Sequence, residues 1–317
     1  MTSNQDSLDQ ASLTYSSFMP LTQLGVLQIE GEDAQSLLQN LLTNDVAALA
    51  IDQGQLTGLC NPKGRLLAIF LLLRRSNGYQ LILPKTMCTG LQQRLSMYIL
   101  RSKVSISDAS ENLACIGLSL AANGSVNALK LPDTIFQATE HDDNVLIKYP
   151  GHQTRFLSIS PSNKASTFTA QLTEQHWHAA DESNWELLDI AAGLPMILPE
   201  TKEQFTTQQV NLDLVNGVSF KKGCYPGQEI VARLHYLGTP SRRMFQAEVQ
   251  TSNAIIEGAE VTSKSGDIAG HVVRIQRKNN ETLLMLLSLK LSAIEQDIFI
   301  NGSELMTIFD NELVTKE

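Results

Sequence analysis

The pattern of apolar residues changes near residue 241, and this change constrains the fold more than any other feature. Before it, segments with helical spacing alternate with strand-like segments. Beyond it, only short alternating strands and turns follow. These later strands are predicted at Phe245–Val249, Glu260–Ser263, Ile268–Ile275 and Thr282–Leu289. Many short strands with regular turns are typical of a small antiparallel β-barrel or sandwich. The sequence therefore predicts an α+β protein with an all-β C-terminal domain.

The part of the chain before residue 241 contains segments with the apolar spacing of strands and others with that of helices. Strands are predicted at Leu24–Ile29, Gln55–Cys60, Arg65–Arg74 and Tyr79–Leu83. Helices are predicted at 32–42, directly after Pro84, at 165–175 and at 184–192. Gly193 and Pro195 follow the last of these in the order typical of a helix end. Residues 1–12 are polar and lack periodicity, so we expect a disordered tail there.

Composition restricts the class of function. The net charge of −9 works against broad binding to phosphate backbones, so any contact with RNA is expected to be local or indirect. The longest apolar run, Leu66–Leu73, is too short to span a bilayer, and the N-terminus does not resemble a signal peptide. The four cysteines form no C-x-x-C pair. Together these features predict a cytoplasmic protein in a reducing compartment, without membrane contact.

The segment 222–229 is the most unusual part of the sequence. Gly223, Pro226 and Gly227 fall within five residues, which predicts a tight loop with exposed backbone. From Gln228 onward the spacing predicts one or two helical turns.

Cys224 stands apart from the other cysteines because its neighbours are Gly, Lys and Tyr. It precedes a helix N-terminus and lies close in sequence to Lys221, Lys222 and Arg233, a setting that favours the thiolate. The remaining cysteines lie on apolar segments and are predicted to pack in the core, at positions 60, 88 and 115.

The residues Lys-Gly-Cys-Tyr-x-Gly-Gln-Glu at 222–229 match the signature of the YgfZ family in full. The resemblance extends over nearly the whole chain and includes the segments Asn61–Arg65, Ala192–Pro195 and Gln208–Leu212. It implies a fold like the T-protein of the glycine cleavage system, arranged around a central cavity. Residues 13–240 would form a folate-binding region of two subdomains with a boundary near 110, and residues 241–317 the C-terminal β-barrel.

The same resemblance implies a function and a set of site residues. It implies binding of tetrahydrofolate or another folate derivative and support of iron–sulfur enzymes or their assembly proteins. Through one such enzyme it implies a role in tRNA thiomethylation. Cys224 would be the reactive thiol, supported by the motif residues Lys222, Gly223, Tyr225, Gly227, Gln228, Glu229 and Arg233. Ligand contacts are expected from Asn61, Lys63, Arg65, Trp185, Asp189, Tyr236 and Arg242.

Two departures separate this sequence from the T-protein, a folate-dependent aminomethyltransferase. Where the T-protein has a pair of aspartates, this chain has Ala68 and Ile69, so the reacting atoms would lack a carboxylate. Where the T-protein helix supplies a glutamate to the pterin ring, this chain has Ala191. Two alternatives remain: a folate-dependent one-carbon (aminomethyl) transferase that acts on an unknown donor, and a pure scaffold that binds partner proteins. We expect no metal site at His176 and His178, since other ligands are not close in sequence.

Overall fold

The computed structural model describes residues 15–121, 129–305 and 307–309. The tail predicted at 1–12 lies outside these residues. The helices are α1 (Ala34–Leu41), α2 (Lys85–Ser96), α3 (Ser162–Glu174), α4 (Glu182–Ala191) and α5 (Gln228–Tyr236). Short 3₁₀ turns span Pro199–Thr201, Gln208–Val210 and Leu291–Ala293. The strands from the N-terminus to residue 161 are β1 (Ser17–Pro20), β2 (Leu24–Glu30), β3 (Gly54–Cys60), β4 (Leu66–Arg75), β5 (Gly78–Pro84), β6 (Ser105–Asp108), β7 (Leu113–Ser119), β8 (Ala138–His141), β9 (Asn144–Tyr149) and β10 (Arg155–Pro161). Those that follow are β11 (His178–Ala179), β12 (Arg242–Gln250), β13 (Glu260–Ser263), β14 (Ile268–Arg277), β15 (Thr282–Lys290), β16 (Ile298–Ile300), β17 (Ser303–Glu304) and β18 (Thr307–Phe309).

The first sheet has the strand order β3-β4-β5-β2-β6 and packs against α1 and α2. Its strand β4 reads as an almost continuous apolar run because residues 66–73 are all buried. One apolar stripe of α1 faces the same core, formed by Ala34, Leu37, Leu38 and Leu41. This is the spacing that predicts an amphipathic helix, and the prediction of α1 is confirmed.

The second sheet has the order β11-β1-β7-β10-β9-β8. The N-terminal strand β1 belongs to it, pairing with β7 and with β11, while the next strand β2 belongs to the first sheet. The short link between Pro20 and Leu24 therefore holds the first and second sheets close together.

The third sheet, with the order β17-β16-β13-β14-β15-β12-β18, forms the C-terminal domain. It curls into an antiparallel half-barrel around its own apolar core. The predicted C-terminal antiparallel β-domain and the α+β class are thereby confirmed.

Helix α4 lies where the three sheets meet, in contact with β1, β14 and β15. Asp181 caps its N-terminus by accepting a hydrogen bond from the Ser183 N–H at 2.9 Å. Beyond its C-terminus, Gly193 adopts a positive φ of 66°, as the sequence predicts for a helix end. Trp185 anchors the helix against Gly117, where an added Cβ would lie 2.4 Å from the indole ring. The position of α4 therefore depends on a glycine in β7.

Candidate functional site

A cavity of about 360 Å³ lies at the junction of the three sheets, and we call it the central cavity. Helix α4 supplies much of its wall, and β2, β5, α2 and the half-barrel supply the rest. Its lining includes Leu24, Thr86, Glu186, Leu198, Glu257 and Gln276. Trp185, Asp189 and Arg274 also line it.

Asp189 is held on one side of the central cavity by two buried arginines. Its carboxylate lies 2.8 Å from Arg155 of β10 and 3.3 Å from Arg274 of β14. The Arg155 guanidinium also lies over the ring of Trp185, at 4.6 Å from its centroid. Burial lowers the pKa of Arg155, and the charge of Asp189 opposes that effect. The carboxylate of Asp189 is thus committed to an ion triad that joins the second sheet, α4 and the half-barrel.

Glu186 and Glu257 line the same cavity, Glu186 from α4 and Glu257 from the loop between β12 and β13. Burial raises the pKa of both carboxyl groups, and the nearby charge of Arg274 partly offsets this. The amide of Gln276 donates a hydrogen bond to Glu186. The cavity therefore presents two partly desolvated carboxyl groups, which suit a ligand with several N–H donors on one edge.

A second cavity, of about 530 Å³, adjoins the first. Thr86 lines both, and the consecutive residues Leu198 and Pro199 line one each. Its wall includes Ala68, at the position where the T-protein resemblance places an aspartate. The second cavity is further lined by Leu59, Leu67, Met87, Gly90, Leu91, Gln93, Arg94, Met97, Lys202 and Glu203.

The 222–229 loop lies elsewhere, packed against the end of α1. The ammonium of Lys222 donates hydrogen bonds to the carbonyls of Gln39, Leu42 and Asn44 at 2.5, 2.6 and 3.0 Å. Burial lowers the pKa of Lys222 to about 8. Tyr225 is also buried, and the Lys222 ammonium lies 5.3 Å from its ring centroid. The motif lysine therefore supplies the hydrogen bonds for carbonyl groups at and just beyond the C-terminal end of α1.

The loop also closes on the Asn61–Arg65 turn. Gly227 has a φ of 81°, and a Cβ there would lie 2.5 Å from the carbonyl oxygen of Asn61 and 2.7 Å from Gly64. The Asn61 side chain accepts hydrogen bonds from the Lys63 and Arg65 N–H groups at 2.9 and 3.0 Å. Two segments singled out in the sequence are thus in contact, and we call them together the motif surface.

Cys224 is exposed on the motif surface, whereas Cys60, Cys88 and Cys115 are buried. Burial raises the pKa of these three thiols to about 12, 11 and 12. The prediction that Cys60, Cys88 and Cys115 pack in the core is confirmed. Cys224 is the thiol that reagents in solution can reach.

The other predicted residues of this region lie around the loop and α5. Gly223, Glu229, Arg233 and Tyr236 are exposed, and the Gln228 amide donates to the Lys222 carbonyl at 3.5 Å. Arg65 donates to the Gln204 carbonyl, and Lys63 is exposed. Arg242 is half-buried at the start of β12.

In the described part of the chain, His, Cys, Asp and Glu side chains nowhere form a group of three or more suited to a metal ion. None of the helices described has the length and apolar character needed to span a membrane.

Comparison with known proteins identifies the family. A family model described as the GCVT N-terminal domain matches residues 13–120. The tRNA-modifying protein YgfZ of Colwellia psychrerythraea is 30% identical over 274 residues, which are 84% of this chain and 83% of that protein. The tRNA-modifying protein YgfZ of Edwardsiella ictaluri is 35% identical over 223 residues, or 69% and 67% of the two chains. The chain belongs to the YgfZ family.

The fold of this YgfZ-family chain is similar to a solved structure of the glycine cleavage system aminomethyltransferase T from Bartonella henselae. The TM-score is 0.75, and the match covers 95% of this chain and 87% of that one at 15% identity. The expected T-protein-like fold is therefore confirmed.

Most residues predicted for the YgfZ-family site fall into two separate groups, while Arg233 and Tyr236 lie on α5 and Arg242 begins β12. Trp185 and Asp189 line the central cavity, whereas the 222–229 loop and the Asn61–Arg65 turn form the motif surface. Sequence reasoning missed Glu186, Glu257 and Arg274 in the cavity. A signal exists for Arg274, because a single charge between the apolar Val272, Val273 and Ile275 of a strand must find a buried partner.

The central cavity fits the folate that this YgfZ-family fold implies. Its volume lies within the range usual for small-molecule sites, and Leu24 and Leu198 add apolar wall. Glu186 and Glu257 supply the acceptors that a pterin ring, with N–H donors along one edge, requires. Glu186 and Glu257 line the same cavity as Asp189. Ala191, at the position of the T-protein glutamate, has no side-chain acceptor.

Proposed function

We propose that this YgfZ-family protein binds a reduced folate in its central cavity and supports tRNA modification by maintaining iron–sulfur enzymes, with Cys224 as a reactive thiol. The observation that carries the folate part is the pair of partly desolvated carboxyl groups, Glu186 and Glu257, in one cavity. The tRNA part is supported by relatives whose name is tRNA-modifying protein YgfZ. When bound, a reduced folate supplies a carrier nitrogen for a one-carbon unit.

Glu186 and Glu257 would bind and orient the pterin, since they approach the cavity from α4 and from the half-barrel. Asp189 has a different role in this proposal: it pairs with both Arg155 and Arg274 and so fixes the wall to which Glu186 and Gln276 belong. A carboxylate that accepts from a ligand N–H in a desolvated site contributes more than one in water.

Aminomethyl transfer of the T-protein type is not the function we favour. Ala68 lines the wall of the second cavity with an apolar side chain at the position of the missing carboxylate. Without a charged or titratable group there, the reaction loses its acid–base assistance.

One observation favours a one-carbon transferase as the second candidate. Glu203 lines the same cavity as Ala68, and its backbone has an unusual φ of 63°. Its side chain accepts a hydrogen bond from the Asn61 amide at 3.2 Å. Incubation with tetrahydrofolate and methylene or formyl donors tests this candidate: turnover that Glu203→Gln abolishes would favour it over the binding role.

Calorimetric titration of tetrahydrofolate tests the binding role. We expect the wild type to bind and Glu257→Gln or Glu186→Gln to bind about tenfold more weakly, because each removes a charged acceptor. The matched control is Glu281→Gln, at an exposed glutamate outside the cavity, which should bind as the wild type does. A wild type that does not bind, or four proteins of equal affinity, would refute the folate role.

The thiol role is tested separately in a strain that lacks the native protein. We expect Cys224→Ser to fail to restore iron–sulfur enzyme activity and tRNA thiomethylation while binding tetrahydrofolate normally. Lys264→Gln, a change on an exposed turn of the half-barrel, should restore both. Full rescue by Cys224→Ser would exclude the thiol and leave a scaffolding role.

A further inference from the structure

Helix α5 buries very little of its surface against the rest of the protein. Among its residues Gln228–Tyr236, all of which the structure describes, Val231 alone is buried. A surface helix of a globular protein ordinarily turns an apolar stripe about 100° wide toward the core. Packing within this chain therefore accounts for little of the apolar character of α5.

The other apolar side chains of this region form a stripe that faces solvent. Ile230, Leu234 and Leu237 are spaced i, i+4 and i+7, which places them on one side of the helix. Ile230 is 41% exposed, Leu234 is half-buried, and Leu237, directly after the helix, is 83% exposed. We call these three residues the α5 stripe. Single exposed apolar residues are common, whereas neighbouring ones mark an interaction surface.

The α5 stripe is held in place at both of its ends. A Cβ on Gly64 of the motif surface would lie 3.1 Å from the Cβ of Ile230, so the turn packs against the start of the stripe. At the other end, the ring of Phe220 stacks on His235 with 3.7 Å between the centroids. The Tyr236 hydroxyl donates a hydrogen bond to the Phe220 carbonyl at 3.3 Å. The stripe is therefore a preorganised surface that adjoins the motif surface.

The charges beside the α5 stripe are mainly positive. Lys63, Lys221 and Arg233 are exposed. Lys63 and Lys221 adjoin in sequence the residues that pack at the two ends of the stripe, and Arg233 lies one helical turn from its first and last members. Glu229 is an exposed acid of the same helix, and Glu203, near the same turn, lines the second cavity. The stripe is thus flanked by cations on a chain whose net charge is −9.

This combination favours an acidic protein segment over other occupants. A second copy of the chain would bring the same three cations against one another. The aliphatic stripe offers nucleobases no aromatic ring on which to stack. The net charge of −9 also opposes the approach of an extended polyanion such as RNA or an anionic membrane. A short acidic segment meets mainly the local charge, because salt screens the charges farther away.

We infer that the α5 stripe and its flanking cations form a docking surface for an acidic amphipathic helix of a partner protein. Under the function proposed above, on which this assignment rests, the partner is an iron–sulfur protein that the thiol serves. Cys224 is exposed just before α5, so a docked partner would lie beside it. The stripe supplies most of the affinity, and the cations set the orientation and speed of association.

Fluorescence anisotropy with two synthetic peptides tests the docking surface. Both peptides are amphipathic helices with the same leucine stripe, flanked by glutamates in one and by lysines in the other. We expect the wild type to bind the glutamate peptide about tenfold or more tighter than the lysine peptide. Ile230→Glu/Leu237→Glu should weaken that binding by about tenfold or more. The matched control is Ile256→Glu, at a 64% exposed isoleucine between β12 and β13, which should bind as the wild type does.

A charge reversal tests the role of the cations. Lys221→Glu/Arg233→Glu should reverse the preference, so that the lysine peptide binds more tightly than the glutamate peptide. Lys264→Glu, on an exposed turn of the half-barrel, should leave the preference unchanged. Equal affinity of the wild type for both peptides would overturn the inference. Binding of oligouridine RNA or phosphatidylglycerol vesicles in place of the glutamate peptide would also overturn it and reassign the surface.

Complementation separates this inference from the proposed function. In the strain that lacks the native protein, Ile230→Glu/Leu237→Glu should fail to restore tRNA thiomethylation while binding tetrahydrofolate as the wild type does. If this variant restores thiomethylation and Cys224→Ser does not, the thiol role stands and the docking surface is refuted. If both restore it, both assignments are refuted. Circular dichroism and thermal unfolding of the double variant should match the wild type, because both side chains are exposed.

Discussion

Glu186 and Glu257 make the stability of the central cavity depend on pH. Burial raises the pKa of each carboxyl above its ordinary value of 4.5, so the folded protein holds these protons more tightly than the unfolded chain. The free energy of unfolding should therefore fall as pH rises through the window between the unfolded and folded pKa values. The desolvated carboxylates cost stability at neutral pH.

Glu257→Gln should remove part of this cost. We expect its free energy of unfolding in urea to exceed that of the wild type at pH 7 and to approach it well below the ordinary pKa of 4.5, where Glu257 is protonated in both the folded and the unfolded state. Glu281→Gln is the exposed control. A variant less stable than the wild type at pH 7 would mean that Glu257 is stabilised by its surroundings, contrary to the direction of its pKa.

Two glycines of the same motif should respond very differently to alanine. Gly227→Ala places a Cβ 2.5 Å from the Asn61 carbonyl at a positive φ, and we expect it to lower the free energy of unfolding by about 2 kcal/mol or more. Gly223→Ala meets no atom within 4 Å and should change it by less than about 0.5 kcal/mol. Thermal unfolding of the two variants measures the difference, and equal losses would contradict the packing described.

Local sequence predicts the conformation of the 222–229 loop but not its contacts with the rest of the chain. Gly223, Pro226 and Gly227 predict a tight loop from local backbone preferences alone. That Gly227 packs on Gly64 could not be predicted, because the contact joins distant parts of the chain. The exposure of Cys224 and the burial of Lys222 could not be read from the sequence either, because both depend on how the loop packs against other segments.

At the scale of elements, Lys222 holds the motif loop to the C-terminal end of α1. Lys222→Met keeps the apolar stem but leaves the carbonyls of Gln39, Leu42 and Asn44 without their donor. We expect a loss of about 2 kcal/mol or more in the free energy of unfolding. Lys221→Met, at the exposed neighbouring lysine, should lose less than about 0.5 kcal/mol. Equal effects in denaturant unfolding would show that Lys222 does not anchor the helix.

Asp189 holds three elements together. Asp189→Asn should leave the buried guanidinium groups of Arg155 and Arg274 without a counter-charge, at a cost of about 3–5 kcal/mol. Asp297→Asn, at an exposed aspartate, is the matched control and should be neutral. If urea unfolding gave similar midpoints for both variants, the triad would not be the link between β10, α4 and β14.

Helices and strands could be predicted better than the contacts that each makes with other helices and strands. Both α1 and α4 could be predicted, because local sequence determines the apolar stripe of α1 and the N-cap and glycine end of α4. The pairing of β1 with β7 and β11 carries no local signal, since it depends on which strands are nearby in space. The Arg155–Asp189–Arg274 triad was missed for the same reason. Asp189 was instead expected to bind a ligand, and that expectation stays untested.

At the scale of the whole molecule, the central cavity and the motif surface are two distinct candidate sites in different parts of the fold. The cavity draws its wall from the first sheet, α4 and the half-barrel, so a bound ligand would contact all three parts of the fold. The motif surface consists of the 222–229 loop and the Asn61–Arg65 turn, and its loop packs against the end of α1. Proposed folate binding and proposed thiol chemistry are therefore assigned to different places.

Hydrogen exchange can separate the two places in one experiment. If folate occupies the central cavity, saturating tetrahydrofolate should slow amide exchange together in the first turn of α2, in α4 and in β14, because the ligand stabilises the junction of the sheets. At about 100 times Kd the ligand adds about 2.7 kcal/mol, which corresponds to up to about 100-fold slower exchange for amides that open only by global unfolding. The 222–229 loop should exchange by local opening and change little. Protection confined to that loop would instead place folate on the motif surface beside Cys224 and refute the assignment of the cavity.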